Sequence, residues 1–118
     1  DLNVVTRHTY QREILVARGI KARSEDEITE RTCDIVVEAT GAPGGFALAR
    51  KAVRPRGTLV LKSTYASKLR VDFSALVVDE ITLVGSRCGP FEPALCLLES
   101  GQVERARELL QTVRNLTD

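Results

Sequence analysis

The chain is 118 residues long, 43% hydrophobic and 28% charged, which sets it among ordinary globular chains with one core. Lys and Arg number 17 against 16 Asp and Glu, a formal charge of +1. So neutral a chain has no general electrostatic pull toward nucleic acid or an anionic membrane, and neither partner is expected. No apolar run approaches the roughly 18 residues of a bilayer span. Cys33, Cys88 and Cys96 form no CxxC pair, and with His8 as the one histidine they supply no zinc ligand set. Free thiols in a reducing cytosol explain them most simply, so a cytoplasmic protein is expected. Because the chain opens on Asp1 rather than Met, it is expected to have been cut from something longer.

Leu2-Asn3-Val4-Val5-Thr6 is short and β-branched and reads as a buried strand. Thr9 is placed to cap a helix over residues 9–18, with Gly19 as its left-handed stop. Ile20-Lys21-Ala22 suffices only for a very short strand. Ser24-Glu25-Asp26-Glu27 has capping-box spacing and predicts one or two helical turns before Thr32. Residues 34–39 form the clearest strand, and their apolar centre predicts burial on both faces, as in a parallel sheet. Residues 40–45 must turn. A helix over 46–53 follows, with Phe46, Ala49 and Val53 on one face and Pro55-Arg56-Gly57 ending it.

Thr58-Leu59-Val60-Leu61 is the next strand, and residues 62–70 a polar connection. Asp72 is placed to cap one or two turns through Val78. Ile81-Thr82-Leu83-Val84 is a strand that stops at Gly85, and residues 91–100 form a helix that tolerates Pro90 and Pro93 near its start. Beyond Gly101, Val103, Ala106, Leu109, Leu110, Val113 and Leu116 recur at helical spacing. Residues 104–118 are therefore expected as an amphipathic helix completing the domain formed by residues 1–103. Strands alternating with helices argue for an α/β fold with a mostly parallel, doubly wound sheet.

In such a sheet ligands lie beyond the carboxyl ends of the strands. The residues there are Thr6-Arg7-His8, Thr40-Gly41, Lys62-Ser63-Thr64 and Ser86-Arg87-Cys88. NAD sites usually place an acid after a strand to hold the ribose hydroxyls, but the run after residue 5 contains none. Arg7 either pairs with a 2′-phosphate through charge-assisted bonds or is a solvated arginine at a helix start. His8 reads as a surface residue. Gly41 either lets the backbone approach a ribose or serves a tight turn. Cys88 is a backbone contact, a packed thiol or, least of all, a metal ligand. Cys33 and Cys96 read as core or near-core thiols. Neither a carboxylate pair, nor a nucleophile beside a base, nor a GxxxxGK[ST] phosphate loop is present, so no catalytic residue is named.

Residues 34–43 (DIVVEATGAP), 49–60 (ARKAVRPRGTLV) and 77–90 (VVDEITLVGSRCGP) resemble, in order and spacing, the coenzyme domain of medium-chain, zinc-dependent alcohol dehydrogenases. The likeness runs from about Leu2 to Val103; the combination is fairly specific, though each block alone is not. It implies hydride transfer between an alcohol, polyol or sugar and a nicotinamide cofactor. Arg7 stands where the family's NAD users tend to carry an acid, which favours NADP over NAD. Contacts to the nicotinamide carboxamide would fall around Lys62-Ser63-Thr64 and Ser86-Arg87-Cys88, and the family's homodimer would pair the edge strand at residues 81–86.

The family's first Rossmann strand, its GxGxxG turn and its zinc- and substrate-holding catalytic domain have no counterpart in this sequence. The missing strand would lie between those at Val4 and Val36, which must either close the gap or leave two sheet edges open. The expectation is thus a partial Rossmann domain of a longer enzyme, with little activity alone. The main alternative is a non-catalytic assembly module that dimerises through its edge strand. A fragment of another Rossmann-like binder, such as a methyltransferase, is disfavoured by the lack of an acid after the first visible strand.

Overall fold

The computed structural model describes residues 1–87 and 89–102, so Cys88 and the helix expected over 104–118 lie outside the described residues. The chain divides into two units, Asp1–Ser86 and Arg87–Asp118. The domain limit expected at residue 103 likewise falls where nothing is described.

The first unit begins with β1 (Asn3–Val5), α1 (Thr9–Ala17) and β2 (Lys21–Arg23). The two strands run parallel, with Val4 opposite Ala22. The cap of α1 is His8 rather than Thr9. Thr6 Oγ1 accepts the His8 N–H at 3.2 Å, and the His8 carbonyl accepts from Arg12 N at 3.2 Å. The hydroxyl one strand-end earlier thus starts the turn, and Thr9 falls inside the helix. The helix stops as its sequence predicts. Gly19 has φ 71°, its N–H reaches Val16 O at 3.0 Å, and Ile20 N reaches Leu15 O at 2.9 Å. That double bond pattern is a Schellman stop. The capping box also forms around a single 3₁₀ turn, with Ser24 N donating to Glu27 Oε2 at 2.6 Å.

Then follow β3 (Cys33–Glu38), α2 (Pro43–Ala52), β4 (Val53–Leu61), α3 (Phe73–Val78) and β5 (Thr82–Gly85). They build a parallel sheet in the order β3-β4-β5. Asp72 caps α3 by accepting from Ala75 N at 3.2 Å, as expected. The boundary between α2 and β4 differs from expectation. The helix starts at Pro43, where a missing N–H costs nothing, and it ends at Ala52. Val53 opens the strand, fully buried, and Pro55-Arg56-Gly57 bulges within β4 instead of terminating a helix. The β3–β4 register shifts there, Arg56 takes φ 61°, and a Cβ on Gly57 would stand 2.8 Å from Arg54 O and 2.9 Å from Asp34 O. A bulge accepts proline because its N–H is not needed in the ladder.

Phe46, Ala49 and Leu59 form the buried centre, with Val36, Leu61, Tyr65, Leu69, Val71 and Ile81 packed against it. Burial of β3 on both faces does not occur. Val36 and Glu38 face α2 and the core, whereas Ile35 and Val37 are 66% and 59% exposed on the other face. Side chains alternate along a strand, and no described residue covers that second face. Nor do β1 and β3 meet: the two sheets remain separate. Among the described residues the gap is left open, with a free edge on β1 and another on β3. The result is a partial Rossmann arrangement, α/β with parallel pairings only, interrupted where the first strand of the complete fold would lie.

In the second unit, α4 (Phe91–Leu97) runs into a wider π-type turn at Leu98–Gln102. Cys96 is exposed and Cys33 half-buried. The core or near-core position expected for Cys96 is not found: its side chain is exposed.

Candidate functional site

The strands β3, β4 and β5 end at one level, with Glu38 opposite Leu61 and Leu61 opposite Gly85. The ladder continues one step further, Lys62 N donating to Glu38 O and Ser86 N to Leu61 O, each at 2.9 Å. The loops therefore leave along a common rim. Gly41 N donates to Ser63 Oγ at 2.8 Å, and Lys62 Nζ donates to Ser86 Oγ at 3.4 Å. Thr40, Gly41, Lys62, Ser63, Thr64 and Ser86 are thus brought together although three separate strand ends supply them. Gly41 has φ 71°, while a Cβ there would meet nothing closer than Thr64 O at 3.9 Å. Its backbone angle, not lack of space, asks for glycine.

Beneath the rim lies a group that reading the sequence missed. Glu38, the last residue of β3, is only 2% exposed. Its Oε1 accepts from Thr40 N at 2.7 Å and from Thr40 Oγ1 at 2.6 Å, and its Oε2 accepts from the Tyr65 hydroxyl. Burial pushes the carboxyl pKa up, but hydrogen bonds from Thr40, Tyr65 and Ser63 outweigh it and hold the group below the usual glutamate value. Burial, with the neighbouring carboxylate, pushes the Tyr65 phenol up to about 12. The available signal was a carboxylate in an apolar strand with a hydroxyl two residues on; nothing in the sequence pointed to Tyr65 as its second partner.

Thr6, Arg7 and His8 sit at the end of β1, in the other sheet. Thr6 is buried, its amide donating to Arg23 O at 3.0 Å and its hydroxyl to the Gln11 side chain. Arg7 is exposed and its Nε donates to the Glu25 carboxylate across the end of β2. His8 is exposed, and its ring stacks on Tyr10 with centroids 5.4 Å apart. Arg87 is exposed at the start of the second unit. Cys88 lies outside the described residues.

The strand starts carry a different cluster. Asp79 accepts from Arg31 through both carboxylate oxygens, at 2.7 and 3.1 Å, and from Arg50 at 2.5 Å. Arg50 also donates to Ala75 O at 2.9 Å, and Arg56 N donates to Asp79 O at 2.8 Å. This lock joins the residues preceding β3, the end of α2, the bulge of β4 and the end of α3, and it faces away from the rim.

Hydroxyls, an ammonium group and strand-end backbone at the rim suit ribose hydroxyls and a carboxamide. A guanidinium at the end of β1 suits a phosphate. The chain has no GxGxxG turn to seat a pyrophosphate, and α2 opens on Pro43 with no side-chain cap. Among the described residues no three His, Cys, Asp or Glu side chains stand together, so nothing there fits zinc. No helix among them is long and apolar enough to cross a membrane.

No protein-family model and no curated protein matches the chain. Solved structures do. L-Idonate 5-dehydrogenase from Escherichia coli superposes with a TM-score of 0.74 at 17% identity, over 86% of this chain and 32% of that one. The cobalt- and zinc-bound thermostable alcohol dehydrogenase from Pyrobaculum aerophilum gives 0.70 at 22%, over 85% and 32%. A Sinorhizobium meliloti protein described as a zinc-binding dehydrogenase, bound to NADP, gives 0.68 at 19%, over 84% and 34%. The chain spans about a third of the length of these structures. The resemblance to medium-chain, zinc-dependent dehydrogenases therefore holds at the level of the fold.

Proposed function

We propose that these residues are most of the coenzyme-binding part of an alcohol, polyol or sugar dehydrogenase that takes NADP in preference to NAD. The observation carrying this reading is the common rim of Thr40, Gly41, Lys62, Ser63, Thr64 and Ser86 on a parallel sheet. Such strand ends are where dinucleotides bind in this class of fold. Arg7, at the corresponding end of β1, is the 2′-phosphate ligand, with His8 beside it and Thr6 holding the turn beneath. When bound, the nicotinamide supplies the carbon that gives or accepts hydride; the chain's own residues bind and orient it.

Pyrophosphate, zinc and substrate are left to residues outside these 118, and the chain alone has little activity. The free edges of β1 and β3, and the bare Ile35 and Val37, support completion by a further strand and helix. Free thiols at Cys33 and Cys96 fit a reducing, cytoplasmic setting. Titration with NADPH, followed by its fluorescence, tests the reading. We expect saturable binding that Arg7→Glu weakens on the order of tenfold, the scale of one charge-assisted bond. Absence of any saturable response to NADPH or NADH overturns it.

One observation favours a second reading, a non-catalytic assembly module. β5 is an edge strand exposed along its length, with Leu83 and Val84 at 41% and 40%. Such an edge is a template for pairing with a second copy. A dimer seen by sedimentation, without any cofactor response, selects this reading over the first.

A further inference from the structure

We propose that Glu38 is a positioning residue of the rim: its carboxylate ties the Thr40–Gly41 turn to the loop carrying Ser63 and Tyr65, and so sets the gap the dinucleotide enters. This deepens the dinucleotide reading and rests on it. The two loops come from strand ends far apart in sequence, and residues 62–72 have no regular secondary structure. A loop of that kind keeps its place only through ties to its neighbours. Glu38 provides the ties from below. One carboxylate oxygen takes the amide and hydroxyl of Thr40, and the other takes the Tyr65 hydroxyl. Its own carbonyl takes Lys62 N at 2.9 Å. Above, Gly41 N bonds Ser63 Oγ and closes the ring.

The cluster is also fixed from the side. A Cβ on Gly45 would stand 1.9 Å from Thr40 Oγ1 and 2.8 Å from Glu38 Oε1, so the first turn of α2 lies directly on it. A carboxylate buried at the end of an apolar strand is costly unless fully hydrogen-bonded, and an apolar side chain would serve packing alone at least as well. What the carboxylate adds is a directional link between two loops, both at the rim.

Tyr65→Phe removes one arm of the link and keeps the ring in the core. Glu38→Gln keeps it, because the amide oxygen still accepts from Thr40 and the amide nitrogen can donate to the phenol oxygen. Two quantities are read on the 118-residue chain: NADPH affinity, and amide exchange by NMR at Gly41, which spans the loops, and at Val36, whose amide lies within β3 on the side paired with β4. For Tyr65→Phe we expect binding weakened about threefold to tenfold and Gly41 exchange faster by about tenfold, with Val36 unchanged. Glu38→Gln should bind within about twofold of the unaltered chain. A purely structural role would speed both amides alike. If Tyr65→Phe does not fold, Glu38→Asp, which draws the carboxylate back from Tyr65, is read in the same way. Unchanged NADPH affinity in the variant overturns the inference and leaves the dinucleotide reading standing. Failure of the unaltered chain to bind either cofactor overturns both.

Discussion

Arg7 has two suitors. Its guanidinium pairs with Glu25, whose carboxylate stands just beyond the neighbouring strand, and both side chains are largely in solvent. In the proposed site a 2′-phosphate takes the same donor. It brings more negative charge and more acceptor oxygens than one carboxylate, so it displaces Glu25 at the cost of that pair. Glu25→Gln should therefore tighten NADPH binding by about threefold while leaving NADH nearly unchanged, an effect that shrinks as salt is added. Equal change for both cofactors, in paired fluorescence titrations, would separate Arg7 from cofactor choice. Arg7 was legible in the sequence as a charge at a strand end. Glu25 was legible only as a member of a capping box, since the contact between them joins residues 18 apart.

At the scale of an element, α2 shows how two adjacent glycines carry different duties. Gly44 has nothing within 4 Å of where a Cβ would stand, whereas Gly45 lies against Thr40 and Glu38. Gly44→Ala should raise stability by roughly 0.5–1 kcal/mol through the unfolded chain's lost freedom. Gly45→Ala should lower it by about 1–3 kcal/mol, because the Thr40 turn must move. Thermal or urea unfolding of the two variants checks the opposite signs. The same helix explains a boundary that sequence pattern misplaced. Phe46 and Ala49 mark its buried face in the sequence, but Val53 continues that apolar spacing while belonging to β4, buried by sheet contacts instead.

For the whole of the first unit, pH stability is bounded at both ends. Asp79 is held below the usual aspartate value by Arg50 and then Arg31. Glu38 lies low despite burial, because its hydrogen bonds outweigh the desolvation. Groups of this kind lend their stability in full above their unfolded values, near 3.8 and 4.5, and lose it as pH falls further. Tyr65 works in the other sense: with its phenol raised to about 12, it lends stability below the ordinary value of 10.0, and this fades as pH climbs from there toward 12. The melting temperature should thus stay level between about pH 5 and 9 and fall on either side. A maximum below pH 4 in a series of thermal melts would contradict these assignments. Tyr65→Phe should soften the alkaline limb and, because Glu38 loses one of the hydrogen bonds that hold it low, soften the acid limb in part, while the share due to Asp79 remains.

Local chemistry was written in the chain. The alternation of strand and helix, the Gly19 stop, the Ser24 box, the Asp72 cap and the strand ends that form the rim each depend on residues within a few positions of one another, so pattern alone reveals them. Only the tertiary structure decided that the gap between β1 and β3 stays open, that Ile35 and Val37 face outward, that Glu38 joins Tyr65 across 27 residues, and that Arg31 reaches Asp79 across 48. Those outcomes turn on which distant surfaces are present to be paired or covered, and no periodicity along the chain encodes a neighbour that far away.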